Sequence, residues 1–495
     1  LSIYVGHEVS EYKSNSNYVR YPEYDPEKGL MGVPDIDGVE DVKKKILNLL
    51  DGLSESRNRS VSFFVSGSYS FLDRYVVAGS IRMDGADIIG TANRFSPLWN
   101  ASFKYNVYEE GFMKKISWLD ELAFRLSYGY TGSIDKNALP FGVMTFMSTD
   151  EYFGYDIPTY IQPKNPSVKW QKKEDRSVGV DFALLNRRIR GTVNYYNNVT
   201  RNLLDTKNLP ISVGVSSIKY NSSSVRNYGW EFSMNSQVLR TRELFWKVDF
   251  NVGMNKSKVI KTYYKDISEV PKGYDKTTPV EGASTNAWFG YRFAGIDPRT
   301  GHTLAFVDNS ERDKPVGYQR EDGRWVLDMD DVVNKDRESI KENLGNSYPT
   351  VNGGFRTNLA WKNFTFDANF TFMLGHKITA AYYATSAGGM VSSASQNVLR
   401  KETTRWRKPG DITDIPVYSA GGEFSSLYSE WYDLKLESGD FLKCTSISLG
   451  YRVPSKICQK FSLTSLRVNF NVRDVFTISG YSGLDPENFG GFSYP

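Results

Sequence analysis

Cysteine is nearly missing from this chain. Cys444 and Cys458 are the two in 495 residues, so neither a disulfide framework nor a multi-cysteine zinc site organises the fold. Histidine is almost as scarce, and His7, His302 and His376 are scattered without ligand-like spacing. The formal net charge is only +4, too small to point to a nucleic-acid partner. There is no run of about eighteen apolar residues, which excludes a transmembrane helix. It does not exclude a membrane, because a spanning strand needs only about ten residues and is apolar at every second one. A signal peptide is also absent. The chain opens on the strand-like LSIYVGHEV, so we expect the N-terminus of the whole protein to lie upstream.

Aromatic residues, by contrast, are plentiful. They make up 14% of the chain, with 32 Tyr and 29 Phe, while hydrophobic residues total only 40%. The mean hydropathy is −0.46. A chain this aromatic and this polar places its rings somewhere other than one large dry core. The rings fall in segments of about ten residues that alternate apolar with polar. In VSFFVSGSYSF, Phe63, Val65, Tyr69 and Phe71 share one face, and Ser66, Ser68 and Ser70 the other. After Leu72-Asp73-Arg74, the return segment sets Tyr75, Val77, Ile81 and Met83 against Ser80, Arg82 and Asp84. The same unit recurs in LWNASFKYNV, LAFRLSYGY, SVGVDFAL with IRGTVNYY, GWEFSM with FWKVDFNVGM, GGFRTNLA with FTFDANFTF, and LRVNFNVR.

One apolar and one polar face would also suit a soluble sandwich. The connections decide between the two readings. Those at 72–74, 185–188, 240–243 and 361–363 are short, and those between them are long. Short turns at one end and long loops at the other are the layout of an outer-membrane barrel. The expected fold is therefore all-β, an antiparallel transmembrane β-barrel. Strands are predicted near 1–9, 61–71, 75–83, 98–108, 122–132, 177–185, 189–199, 225–239, 244–260, 286–296, 302–308, 351–361, 364–374, 439–452 and 465–477. With the tight turns periplasmic, the first and last of these run upward. Large plugged barrels have about 22 strands, so the roughly fifteen here read as the C-terminal part, residues 1–495, of a barrel cut at both ends, with the plug domain outside the chain. The stretches 10–60, 133–176, 205–224, 261–285, 309–350 and 375–438 are expected to be extracellular loops.

Several segments resemble the C-terminal half of SusC/RagA-type TonB-dependent transporters. The most specific are SGDFLKCTSISLGYRVP at 438–454 and LRVNFNVRDVFTISGYSGLDPE at 466–487, which contains a Tyr-x-Gly-x-Asp-Pro-Glu pattern. Also similar are residues 165–204, NYGWEFSM, FNVGMNKSKV, GYRFAGIDPRTG and LSYGYTGS. The chain departs from the family at 84–90, where DGADIIG stands in place of Asp-Gly-Ser-Ser-Arg-Phe-Gly. The resemblance implies import of oligosaccharides or oligopeptides across the outer membrane of a Gram-negative bacterium. It further implies a plugged lumen coupled to the TonB complex, a capping SusD-like surface lipoprotein, and a dimer of such transporter–lipoprotein pairs. No cofactor is implied.

The expected substrate-contacting residues are those of the polar, lumen-facing series, above all Arg82, Asp84 and Arg125, with Lys104, Arg467 and Arg473 beside them. The simpler reading is that these charges are solvated and paired with plug residues, since barrel interiors are polar anyway. Trp288 and Arg292 share a face opposite Phe289, Tyr291 and Phe293, a combination suited to stacking on a sugar or a peptide. Tyr382 and Tyr383, with Tyr418, Tyr428 and Trp431, are candidates for gripping substrate at the mouth, the alternative being that they pack the loop against itself or against a capping partner. The run Asp328, Asp330, Asp331 resembles a calcium loop but lacks the downstream Gly and Glu, and reads as a solvated loop. No nucleophile and base fall together, so an enzyme is not expected. A surface β-rich adhesin or glycan-binding protein without transport is the alternative. Val468→Arg is expected to cost about 2–4 kcal/mol by placing a charge in hydrocarbon, with Asn469→Arg tolerated. Heat-modifiable gel mobility of refolded protein measures this, and equal tolerance at the two positions would contradict the assigned faces.

Overall fold

The computed structural model describes residues 1–19, 24–25, 29–30, 51–90, 93–134, 140–149, 156–162, 164–210, 212, 215, 217–269, 279–310, 312–330, 337, 339–380, 403–417, 432–483 and 485–487. Thirteen strands form one antiparallel sheet in which each pairs with its neighbours in sheet order. They are β1 (Ser2–Val19), β2 (Asp51–Phe71), β3 (Tyr75–Ala86), β4 (Phe95–Asn106), β5 (Leu119–Ser133), β6 (Gln171–Leu184), β7 (Ile189–Asn208), β8 (Ser217–Arg240), β9 (Leu244–Lys261), β10 (Val351–Trp361), β11 (Phe364–Leu374), β12 (Phe441–Arg452) and β13 (Arg467–Ser479).

The short turns hold the expected places. Leu72 and Asp73 take φ of 52° and 55°, and Leu185, Asn186 and Arg187 take φ of 57°, 56° and 61°. Positive φ at successive residues is what folds a right-twisted strand back on its neighbour. Register then makes each face continuous. Val193 pairs with Phe232 and Phe232 with Val252, while Asn194 pairs with Glu231 and Glu231 with Gly253.

What covers the ring-rich face decides between barrel and sandwich. Phe63 is 54% exposed, Val468 57% and Phe470 63%, so no second protein layer packs on them. The described buried clusters lie instead at the long-connection end. One joins Ala86, Ile88, Ile89, Val168 and Trp170, another Tyr264, Ile267, Val280, Ala287 and Phe289. A third joins Tyr291, Ala305, Val307, Leu327, Met329, Ile340 and Tyr432. The wall is a sheet whose apolar face is left for hydrocarbon, and the protein's own packing lies among the connections. DGADIIG is part of that packing: Ile88 and Ile89 are buried and Gly90 N–H donates to Val168 O at 3.2 Å.

Two expected strands are not in the wall. Segments 286–296 and 302–308 break into Ala287–Gly290, paired with Glu342–Asn346, and Phe293–Ile296, paired with Thr303–Phe306. Each is four residues long, against the roughly ten that cross hydrocarbon. Their apolar–polar alternation is real but faces a buried loop cluster. Because the pair is lost together, the directions of the remaining strands do not change. Conversely, strand reaches into stretches expected as loop. β1 and β2 stay paired from Ser2↔Ser68 to Val19↔Asp51, β6 begins at Gln171, and β7 with β8 extends to Asn208↔Ser217. At about 3.4 Å per residue and a tilt near 40°, the 24-residue β8 rises about 60 Å, well past a hydrocarbon core of about 30 Å. Above the membrane both faces meet water, so the alternation that marks a strand disappears from the sequence.

A Cβ at Gly229 would lie 1.9 Å from Met254 O and 2.7 Å from Tyr196 Oη, whereas one at Gly67 meets nothing closer than 3.6 Å. Gly229→Val is expected to destabilise assembly by about 1–3 kcal/mol and Gly67→Ala to leave it unchanged, read as urea resistance of the heat-modifiable band.

Candidate functional site

The inward wall carries ladders of paired polar groups. Arg82 donates to Asp84 at 2.5 Å, to Glu8 at 3.0 Å and to Ser62 at 2.9 Å, and its guanidinium stands 5.6 Å from the Phe64 ring centre. Arg125 donates to Asp181 at 2.8 Å and to Asn194 at 2.9 Å, while Thr192 donates to the same Asp181 carboxylate at 3.0 Å. Arg356 bonds Asp367 at 2.6 Å, and Asn358 donates to the other oxygen of that carboxylate. Arg467 reaches Thr365 at 3.1 Å, Lys104 stands opposite Arg125, and Arg473 opposite Ser446. Each of these bonds joins wall to wall. Ion pairs this exposed contribute about 0–1 kcal/mol each, so their main effect is to hold polar side chains in fixed orientations along the lumen.

Trp288 and Arg292 are not on the wall. Trp288 Nε1–H donates to Lys377 O at 2.9 Å, fastening the β9–β10 connection to the β11–β12 connection. Arg292 pairs with Glu342 at 2.8 Å, and its side chain is 58% exposed. Their neighbours Phe289 and Tyr291 are buried, as the alternation implied, but in protein. Tyr382, Tyr383, Tyr418, Tyr428 and Trp431 lie outside the described residues.

Arg292 opens instead onto a cavity of about 750 Å³ that alternation could not reveal, because it is assembled from five separate segments. Its wall offers Arg292 and Arg324 as cations, Asp308, Glu342 and Asp433 as anions, and Trp325 as an aromatic surface. The Asp433 carboxylate accepts Phe293 N–H at 2.9 Å, and Arg324 stands 4.6 Å from the Phe306 ring centre. Both signs of charge beside aromatic rings make a surface suited to polar oligomers.

The Asp328 and Asp330 run is not a freely solvated loop. His302 Nδ1 lies 2.9 Å from Asp328 Oδ2, and Asp330 accepts Thr303 N–H at 3.0 Å. Donor atoms of His302, Asp328 and Asp330 fall within 4.8 Å of one another, the donor types and spacing that hold a divalent cation. The 25 residues between His302 and Asp328 hide this grouping in the sequence, and the sheet pairing of Leu304 with Asp328 creates it. Burial pushes the Asp330 carboxyl up to about 6, against the Thr303 amide and His302, which favour its charged form.

Together, the antiparallel meander, the bare apolar face and the polar ladders define a wall segment of a large membrane β-barrel of the outer-membrane type. The family model for the TonB dependent receptor-like beta-barrel matches residues 3–369, and the chain belongs to that family. Its similarities are of the SusC/RagA type. It is 26% identical over 453 residues to the TonB-dependent receptor SusC of Bacteroides thetaiotaomicron, covering 87% of this chain and 42% of that protein. It is 25% identical over 443 residues to TonB-dependent receptor P3 of Formosa agariphila, covering 86% and 42%. Among solved structures, the RagAB peptide transporter superposes with a TM-score of 0.74 at 21% identity, covering 99% of this chain and 51% of that one. The RagAB peptide importer in its closed-closed state gives 0.75 at 20%, covering 98% and 50%. The chain thus spans less than half the length of these curated relatives.

The raised Asp330 carboxyl sets a pH dependence. The folded form holds a proton that the unfolded chain, titrating near 3.8, has given up, so the stabilising contribution is complete below about pH 4 and lost as pH rises through about 6. Asp330→Asn is expected to flatten that pH dependence and to slow proteolysis between 297 and 330 at pH 8 relative to the parent. An unchanged pH profile of cleavage would refute the assignment.

Proposed function

We propose that this chain is the larger part of the barrel of a nutrient importer in the outer membrane of a Gram-negative bacterium. It would take up oligosaccharides or oligopeptides with energy delivered by the TonB complex, through parts of the protein outside this chain. The observation that carries this is the pairing of a bare aromatic face with a lumen lined by fixed polar side chains: one suits lipid, the other a hydrated path. The relation to SusC and the likeness to RagAB support a SusD-like surface lipoprotein as the partner over the mouth, and a dimer of such pairs. The connections around Trp288, Tyr291 and Tyr432 would form the surface that meets lipoprotein and substrate. The cavity at Arg292 and Arg324, together with Arg82, Asp84 and Arg125 on the wall, offers charges of both signs. Tyr382 and Tyr383 belong in sequence to the β11–β12 connection, as Tyr432 does, and are proposed to contribute to the grip.

Uptake tests this reading. Cells lacking the full-length protein are expected to lose accumulation of one labelled oligomer class, either sugar or peptide. A protonophore should abolish the same uptake in parent cells. Unchanged uptake with reduced attachment to a glycan surface would favour the adhesin alternative and overturn the proposal.

A further inference from the structure

The outward face is uniform in its middle but not toward the long connections. There, strands β6 to β9 turn basic. The last apolar rung joins Leu126, Val178, Tyr195, Trp230 and Met254. One step further up the same face, Tyr128 pairs with Arg176, and Asn197 with Tyr228 and Lys256. A second step joins Glu174, Val199, Arg226 and Lys258, and a third Lys172 and Arg201. Six cations therefore face outward over four adjacent strands. The single carboxylate among them, Glu174, is buried and already engaged by Arg176 and by the Tyr128 hydroxyl at 3.0 Å. Lys256 and Lys258 are exposed, and the Arg176 and Arg201 side chains are 55% and 56% exposed. On the outward face of β1 and β2 the cations are nearly balanced: Arg57 and Arg59 share Glu11, at 2.6 and 3.3 Å, and Lys13 pairs with Glu55 at 2.9 Å.

Directly below Arg176 the apolar face is not flat. Val77, Ala101, Phe103, Leu126, Val178 and Tyr195 enclose a groove of about 510 Å³ with little polar surface, and Arg176 and Asn197 close its upper end. Ala101 contributes only a methyl group to that lining, while Phe103 and Tyr195 contribute rings. An apolar channel headed by six cations that share one carboxylate, Glu174, which pairs with both Arg176 and Arg201, has the chemistry of an acyl chain joined to a phosphate.

We propose that this face binds an anionic, phosphate-bearing lipid of the outer leaflet, its acyl chain in the Ala101 groove and its phosphate among Arg176, Arg201, Arg226, Lys256 and Lys258. The proposal rests on the membrane reading above. Charge complementarity sets the occupant, since a zwitterionic headgroup would leave the net charge of the patch unanswered. Fixing a lipid here would anchor β6–β9 at a defined depth, next to the β9–β10 connection that carries the Arg292 cavity.

The full-length protein, purified in detergent and shown to run as a heat-modifiable band, is titrated with phosphatidylglycerol or with phosphatidylcholine of the same chains and observed by native mass spectrometry. Failure of heat modification would overturn the membrane reading itself, independently of lipid choice. Given a folded barrel, a preference of about tenfold or more for phosphatidylglycerol is expected. It should be lost in R201Q/R226Q/K256Q/K258Q and retained in R57Q/R59Q. Ala101→Phe should shorten retention of bound lipid in either protein. Equal loading of the two lipids, or a preference that survives the fourfold variant, would overturn the proposal.

Discussion

The backbone of a strand in hydrocarbon has no water to turn to. Every N–H and C=O must find a partner in the adjacent strand, and leaving one unpaired costs several kcal/mol. The unbroken run of pairings from β1 to β13 answers that constraint. It also explains why the wall can do without a packed core. Side chains on one face are left to lipid and those on the other to water, and the ladder of backbone bonds holds the sheet. The described buried clusters collect among the connections, where chain leaves the ladder and must be stabilised by packing instead.

That division of labour shapes the candidate sites. Wall charges such as Arg125 and Asp181 are paired across strands, so they offer substrate a fixed, polar lining and not a set of loose ions. Arg292 and Arg324 are brought together by strand pairing within the β9–β10 connection, and Asp433 joins them because that connection is bound to the β11–β12 connection. The fastenings are Trp288 to Lys377, the bridge between Tyr291 and Tyr432, and Phe293 to Asp433. A rigid wall with a cross-linked layer above it suits a route that must open at one end without losing its register.

The terminal motif shows the same logic. Lys443, on the wall, gathers Glu487 at 2.6 Å and Asp474 and Asp485 at 3.5 Å, while Tyr481 Oη–H donates to Thr379 O at 3.2 Å. The Tyr-x-Gly-x-Asp-Pro-Glu segment thus ties the top of β13 to β12 and to the β11–β12 connection. Its carboxylates have a structural purpose visible only when Lys443 is in place beside them.

Alternation and turn spacing determined the all-β class, the tight turns, the inward and outward faces and the direction of each wall strand. These follow from the two-residue period of a strand and from the contrast between lipid and water, both of which act residue by residue. Three things were decided by tertiary structure alone. Strands 286–296 and 302–308 carry the same alternation as the wall yet pack in the connection layer, because alternation records an apolar neighbour without saying whether it is lipid or protein. The upper halves of β1, β2, β7 and β8 are strands without a sequence signal, because both faces there meet water. The Arg292 cavity, the His302–Asp328–Asp330 grouping and the outward basic patch join residues far apart in the chain, and only sheet register and the bonds between connections bring them to one place.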